Sequence, residues 1–300
     1  MEASSTNILL INLSLLVRVR ILNVIMLILA MYISAFYLFD HTGLFWEKFK
    51  NIKLHGIVFS SALSAMAGYI INFFYDQDKD QIYRPISTMM QRFIQQSTAL
   101  RIYLIFNFIS LTITLFLSYR IFIFFLVYQF LIWLYSHKLS RLVFINNLTN
   151  SILMIFPFLA LFLFYENYAP YILYLAVFLF LIILIRDIFK DFHSVKYDTL
   201  FQYHTLPNTL GFIPTKIILI FLLILLTWVS VHLTFEPHLV EIRLYYLLTA
   251  LLCMGLIPGL WFSDRRLIQV LIIMIKFWIF LGTISLLFID GNPLPLHFRG

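Results

Sequence analysis

The fold class this sequence predicts is all-α: a polytopic membrane protein built as a bundle of nine transmembrane helices around a central cavity. Three observations predict it. Of the 300 residues, 62% are hydrophobic and 12% charged, with a mean hydropathy of +0.94, and a water-soluble globule has no interior large enough to hide that much apolar surface. The apolar residues gather in nine runs, each close to the roughly 20 residues needed to cross ~30 Å of hydrocarbon. The charges collect at the ends of those runs.

The runs fall at 21–39, 54–75, 99–118, 120–136, 143–165, 169–189, 214–234, 242–262 and 267–289. No low-complexity tract, linker or shift in composition marks a second domain, so 1–300 is expected to be a single transmembrane domain. Residues 1–17, only mildly apolar, form its peripheral N-terminal segment. Placing the N-terminus in the cytoplasm leaves Lys48, Lys50, Lys53, Arg120, Arg243 and Arg299 outside and Lys276 within the ninth run, and sends the other 14 of the 21 lysines and arginines inside. That asymmetry sets the orientation. The net charge of +7 then reflects topology and anionic ligands, and calls for no nucleic acid. Cys253 is the only cysteine and sits in an apolar run, which excludes an intrachain disulfide and a thiol metal site. The first run lacks a small-residue cleavage site and reads as a retained helix.

Arg18 and Arg20 lead into the first run and are expected to anchor its cytoplasmic end. The second carries Ser60, Ser61, Ala62, Ser64, Ala65, Ala67 and Gly68, small residues that let helices approach closely. It continues into Asn72-Phe73-Phe74-Tyr75-Asp76-Gln77-Asp78-Lys79-Asp80. On a helix Asn72, Asp76 and Asp80 recur every four residues and share a face, while Asp78 points elsewhere. Such a row of oxygen ligands suits a hard divalent cation, above all Mg2+. Pro85 disfavours helix at Arg84 and opens a polar loop, with Arg84 and Arg92, that lasts to about Ser97.

A tight turn at Ser118 to Arg120 joins the third and fourth runs, and the fourth exits through Tyr135-Ser136-His137-Lys138. The fifth opens with Asn146, Asn147, Thr149, Asn150 and Ser151, too polar for lipid, which places them toward the bundle interior or a wet cavity. The sixth repeats the pattern of the second and ends in Arg186-Asp187-Ile188-Phe189-Lys190-Asp191, then Ser194 and Asp198. Asp187 and Asp191 are one helical turn apart, and Asp198 lies only about 20° off their face. Thr205-Leu206-Pro207-Asn208 and Gly211 break the chain before the seventh run. Gly255, Pro258 and Gly259 are expected to kink or thin the eighth helix. Lys276 in the ninth either lines the cavity or reaches an interface.

Two acidic rows on one side of a membrane would repel themselves into protonation unless cations occupied the space between their carboxylates. Mg2+ held there would bind a diphosphate, with its hydrocarbon tail in the apolar cavity.

Asn72-x-x-x-Asp76-x-x-x-Asp80 resembles the first aspartate-rich motif of the UbiA superfamily of intramembrane prenyltransferases. Lys190-Asp191-x-x-Ser194-x-x-x-Asp198 followed by Thr205-Leu206-Pro207 resembles the second, and Arg84-Pro85, Tyr135-Ser136-x-x-Leu139 and Asn147 fit the same pattern. The resemblance implies Mg2+-dependent transfer of an isoprenyl chain from a prenyl diphosphate to a lipophilic or amphiphilic acceptor, of the quinone-precursor aromatic acid or glycerol phosphate type. The Lys and Arg asymmetry places the active-site mouth at the cytoplasmic face. Asp76, Asp80, Asp191 and Asp198 would be catalytic and, with Asn72 and Asp187, would hold the metal. Asn72, Arg84, Lys138, Lys190, Tyr135 and Asn147 would meet the diphosphate. Membrane topology alone equally explains the three cations, and Tyr135 and Asn147 equally suit hydrogen bonds within the bundle.

This sequence departs from the family at Phe73 and Ser194, where many members carry Asp, and at Tyr197, where Gly is common. Asp187 is the residue placed to replace the carboxylate missing at Ser194. The alternative function is a membrane transporter of a small molecule or ion, but transporter acids normally sit near the midplane on broken helices rather than at helix ends. A CDP-alcohol phosphotransferase would need its Asp-Gly…Ala-Arg…Gly-x-x-x-Asp-x-x-x-Asp run, which is absent. The sequence leaves the oligomeric state open.

Overall fold

The structure is a computed structural model and describes residues 13–40, 45–83, 94–201, 203–260 and 265–289. Among these residues helices are the only regular elements, and nine helices are long and apolar enough to cross a membrane. They are α1 (Ile21–Ser34, prolonged by the π-helical Ala35–Phe39), α2 (Ile52–Tyr83), α3 (Gln96–Leu117), α4 (Tyr119–His137) and α5 (Ile145–Tyr165). Then come α6 (Pro170–Leu200), α7 (Phe212–Thr234), α8 (Arg243–Gly259, preceded by the 3-10 helical Pro237–Ile242 that completes its span) and α9 (Arg265–Ser285). Each expected run corresponds to one of them.

Helices α2 and α6 outrun their apolar segments. With 32 and 31 residues at ~1.5 Å of rise each, both exceed the ~30 Å hydrocarbon core. The acidic rows are therefore carried on helical extensions of the spans, where backbone hydrogen bonds fix the four-residue spacing. The structure describes α2 as far as Tyr83, and the expected break at Pro85 lies outside the described residues. Arg84 and Arg92 lie outside the described residues.

The chain divides into two compact units. The first comprises Met1–Leu29, Ile52–Leu142 and Lys196–Tyr203, and is centred on α2, α3 and α4. The small residues of α2 act as expected: Ser60, Ser61 and Ser64 are fully buried, as are Ser110 and Thr114 of α3. Ser110 donates to the Ser60 carbonyl at 3.1 Å and lies 3.0 Å from the Ser64 hydroxyl. Gln129 of α4 donates to Ser64 at 3.2 Å and to the Asn107 carbonyl at 3.4 Å. Close approach of this kind, with polar groups satisfied across helices, is how bundles hold together in lipid. A side chain at Gly68 would press on Ile132 at 3.2 Å, and one at Gly56 on Leu117 at 3.0 Å. Ser118, with extended backbone, is the whole connection between α3 and α4.

Arg18 does more in this unit than mark a membrane boundary. It is 5% exposed, its guanidinium lies 4.7 Å from the centre of the Phe73 ring, and burial lowers its pKa. Arg20, in the left-handed region at φ 50°, sets its own guanidinium over Tyr69 at 5.1 Å. Phe73, one of the departures from the family pattern, is thus a cation–π partner for Arg18, which precedes α1.

The second unit comprises Ala30–Asn51, Val143–Val195 and His204–Gly300. Lys48 caps the π-helical end of α1 by donating to the carbonyls of Phe36, at 2.9 Å, and Asp40. Helices α8 and α9 interlock through Tyr245 and Trp278, whose rings stack at 5.3 Å. Tyr245 donates to the Trp278 carbonyl at 3.1 Å and the Trp278 indole to Thr249 at 2.8 Å. Gly282 is required here, since a Cβ would collide with the Tyr245 hydroxyl oxygen. Gly255 and Gly259, expected to thin α8, have nothing within 4 Å of a Cβ position. No close approach explains them. Cys253 is buried in α8.

Candidate active site

Each unit holds part of the acidic machinery. In the first unit the ladder on α2 forms as its spacing requires: Asn72 Nδ2 donates to Asp76 Oδ2 at 3.0 Å across one turn, with Asp80 a turn further on. Asp78 is exposed, off that face. The other oxygen of Asp76 accepts from the hydroxyl of Tyr203. Tyr203 lies just beyond α6, where its backbone N–H donates to the carbonyl of Asp198 at 2.9 Å. Asp198 itself is fully buried. The first unit therefore joins the end of the second motif to the centre of the first.

Tyr203 is buried, and the Arg141 guanidinium stands 5.6 Å from its ring centre. Burial, then the Asp76 charge and the hydrogen bond to it, push the phenol well above the usual tyrosine range, against a smaller lowering by Arg141. The phenol stays protonated and donates. Sequence reasoning missed Tyr203, because no local spacing rule links it to a carboxylate 127 residues away.

In the second unit Asn147, in the first turn of α5, is fully buried. Its amide donates to Asp191 Oδ2 at 2.8 Å and to Asp187 Oδ2 at 3.4 Å. Both carboxylates are buried, on successive turns of α6. Asn147 Oδ1, also buried, has no partner among the described residues. Lys190 approaches Asp187 Oδ1 at 3.5 Å while remaining 41% exposed, so this ion pair is screened by solvent. Ser194 turns its hydroxyl back to the Asp191 carbonyl at 3.5 Å, too long to add much. His193 sits 3.1 Å from the Gln269 amide of α9.

The structure thus brings Asn72 to Asp76 and Asn147 to Asp187 and Asp191. Tyr135 is half-buried on α4. Lys138 is exposed at the α4 C-cap, and no contact ties it to an acidic side chain among the described residues. Arg84 falls outside those residues. No three His, Cys, Asp or Glu side chains converge among the described residues; the oxygen clusters combine carboxylates with an asparagine amide.

Comparison with known proteins decides the family. The UbiA prenyltransferase family matches residues 28–279, more than half of the chain and both units. The chain belongs to the UbiA prenyltransferase family. Among its relatives are two digeranylgeranylglyceryl phosphate synthases. That of Saccharolobus solfataricus is 29% identical over 58% of this chain and 65% of its own length. That of Pyrococcus horikoshii is 31% identical over 48% of this chain and 52% of its own. The match therefore spans less than two thirds of either relative. Solved structures share the fold more broadly. A digeranylgeranylglyceryl phosphate synthase aligns over 93% of this chain and 97% of its own, with a TM-score of 0.67 at 20% identity. A UbiA homologue from Archaeoglobus fulgidus, bound to GPP and Mg2+, aligns over 91% and 99% with a TM-score of 0.69 at 14% identity. At those identities the likeness is one of fold.

Proposed function

We propose that this UbiA family member transfers an isoprenyl chain from a prenyl diphosphate to a glycerol phosphate ether acceptor, with Mg2+ as cofactor. One observation carries the reading. Three carboxylates, Asp187, Asp191 and Asp198, are buried within twelve residues at the end of an apolar span, and buried acidic groups of this kind are ordinarily paired or coordinate metal ions. The acceptor class follows the names of both relatives. One family match running across both units supports treating 1–300 as one catalytic domain.

The residues suit Mg2+. The donors are carboxylate and amide oxygens, which a hard cation prefers, and Asn147 leaves one buried amide oxygen without a partner. Asp76, Asp80, Asp191 and Asp198, with Asn72 and Asp187, would hold the ion, Asp187 supplying the carboxylate that Ser194 lacks. When bound, Mg2+ neutralises charge on the departing diphosphate, so that the allylic C1–O bond can ionise. Arg84, Lys138 and Lys190 bind the diphosphate oxygens, and Tyr135 and Asn147 orient them. Apolar helix surfaces exclude water from the allylic cation until the acceptor hydroxyl oxygen attacks C1, its O–H bond breaking and the proton leaving with the released diphosphate. The Lys and Arg distribution supports placing these residues, with the N-terminus, on the cytoplasmic side.

The test is to incubate purified protein with Mg2+, a labelled prenyl diphosphate and a panel of acceptors, and to identify the product by mass. A prenylated glycerol phosphate ether is expected. A prenylated aromatic acid would keep the reaction and replace the acceptor; flux across sealed vesicles without any product would favour a transporter.

A further inference from the structure

We propose that Tyr203 is a positioning residue for the cation site on the first acidic row, acting as a brace between the backbone of Asp198 and the carboxylate of Asp76. The proposal rests on the reading of Asp76 as a metal ligand. Three observations support it. The backbone N–H of Tyr203 is fixed to the Asp198 carbonyl at 2.9 Å, so the side chain starts from the anchored end of α6. The hydroxyl reaches Asp76 Oδ1. The ring is buried beneath Arg141, 5.6 Å from its centre, and has little freedom to leave.

Asp76 consequently has a donor on each oxygen, Asn72 on Oδ2 and Tyr203 on Oδ1. Each carboxylate oxygen has two lone pairs. These two donors fix the plane of the carboxylate, and a carboxylate oxygen can accept a hydrogen bond and coordinate a cation together. Without Tyr203 the carboxylate could turn about its last bond, and the ion would have to order it on binding. Outer partners of metal-binding carboxylates matter for that reason.

Tyr203→Phe removes one oxygen and keeps the ring under Arg141. The experiment titrates Mn2+ into the purified full-length protein in detergent, read by electron paramagnetic resonance without prenyl diphosphate, and then measures the Mg2+ dependence of transfer. Mn2+ binding should weaken about 10-fold, at the low end of such effects, and the Mg2+ concentration for half-maximal rate should rise by a similar factor. The rate at saturating Mg2+ should change by less than about threefold, because positioning and not chemistry is lost. Wild-type or tighter Mn2+ binding in a folded Tyr203→Phe protein overturns the proposal. Tighter binding would mean that the hydroxyl competes with the ion.

Should Tyr203→Phe fail to purify as a folded protein, Arg141→Gln decides, since it frees the phenol while leaving the hydroxyl. Weakened Mn2+ binding is again expected, and wild-type affinity overturns the brace. Asp76→Asn separates the two levels of the argument. If it binds Mn2+ like wild type, the metal reading fails and takes the proposal with it. If it loses binding while Tyr203→Phe does not, the proposal alone falls.

Discussion

Asn147 donates to two buried carboxylates at once, so its loss leaves Asp187 and Asp191 short of a donor where water has little access. Asn147→Ala should lower stability by about 1–3 kcal/mol, the range for stranding a buried polar group. Thermal unfolding in detergent measures it, and an unchanged melting temperature would mean that other groups carry those charges. The contrast between Asn147 and Tyr203 shows what the sequence can convey about the site. The four-residue steps Asn72–Asp76 and Asp187–Asp191 are properties of one helix, so they are legible in the amino-acid spacing alone. Asn147 stands out because five polar groups open an otherwise apolar segment, but its partners are 40 and 44 residues away and depend on how α5 meets α6. Tyr203 carries no such signal: a tyrosine in a short polar stretch is ordinary, and only tertiary structure makes it a donor to Asp76.

At the level of elements, two kinds of glycine predict opposite outcomes. Gly282 on α9 is held against Tyr245, with no room for a Cβ; Gly255 sits inside α8 with open space around it. Gly282→Val should cost about 1–3 kcal/mol through overpacking and disruption of the Tyr245–Trp278 contact. Gly255→Ala should stabilise by roughly 0.5–1 kcal/mol through reduced backbone entropy in the unfolded chain. Parallel thermal melts decide the pair, and a destabilised Gly255→Ala would reveal a contact the packing does not show. The expectation that Gly255 and Gly259 thin α8 follows from composition. Composition cannot say which glycines face another helix, and in this bundle Gly56, Gly68 and Gly282 do so.

At the scale of the whole molecule, the nine spans are legible because length and hydropathy are local quantities matched to a fixed bilayer thickness. How far α2 and α6 continue past their apolar runs is less so, since the acidic rows look equally like loop until backbone hydrogen bonding is seen. Orientation follows from the Lys and Arg count and has its own check. On a Cys253→Ala background, Leu200→Cys should react with a membrane-impermeant maleimide in inside-out vesicles and Phe235→Cys in intact cells. The reverse pattern would invert the topology. The central claim, that the two acidic rows drive metal-dependent prenyl transfer, is tested most directly by diphosphate release. Purified wild type, Asp76→Asn and Asp198→Asn should be compared with Mg2+ and with chelator, each shown to be folded by circular dichroism. The account predicts release coupled one-to-one to prenylated product in wild type with Mg2+, and none in the chelated protein or in either variant. Wild-type turnover in a folded Asp76→Asn or Asp198→Asn protein would contradict it.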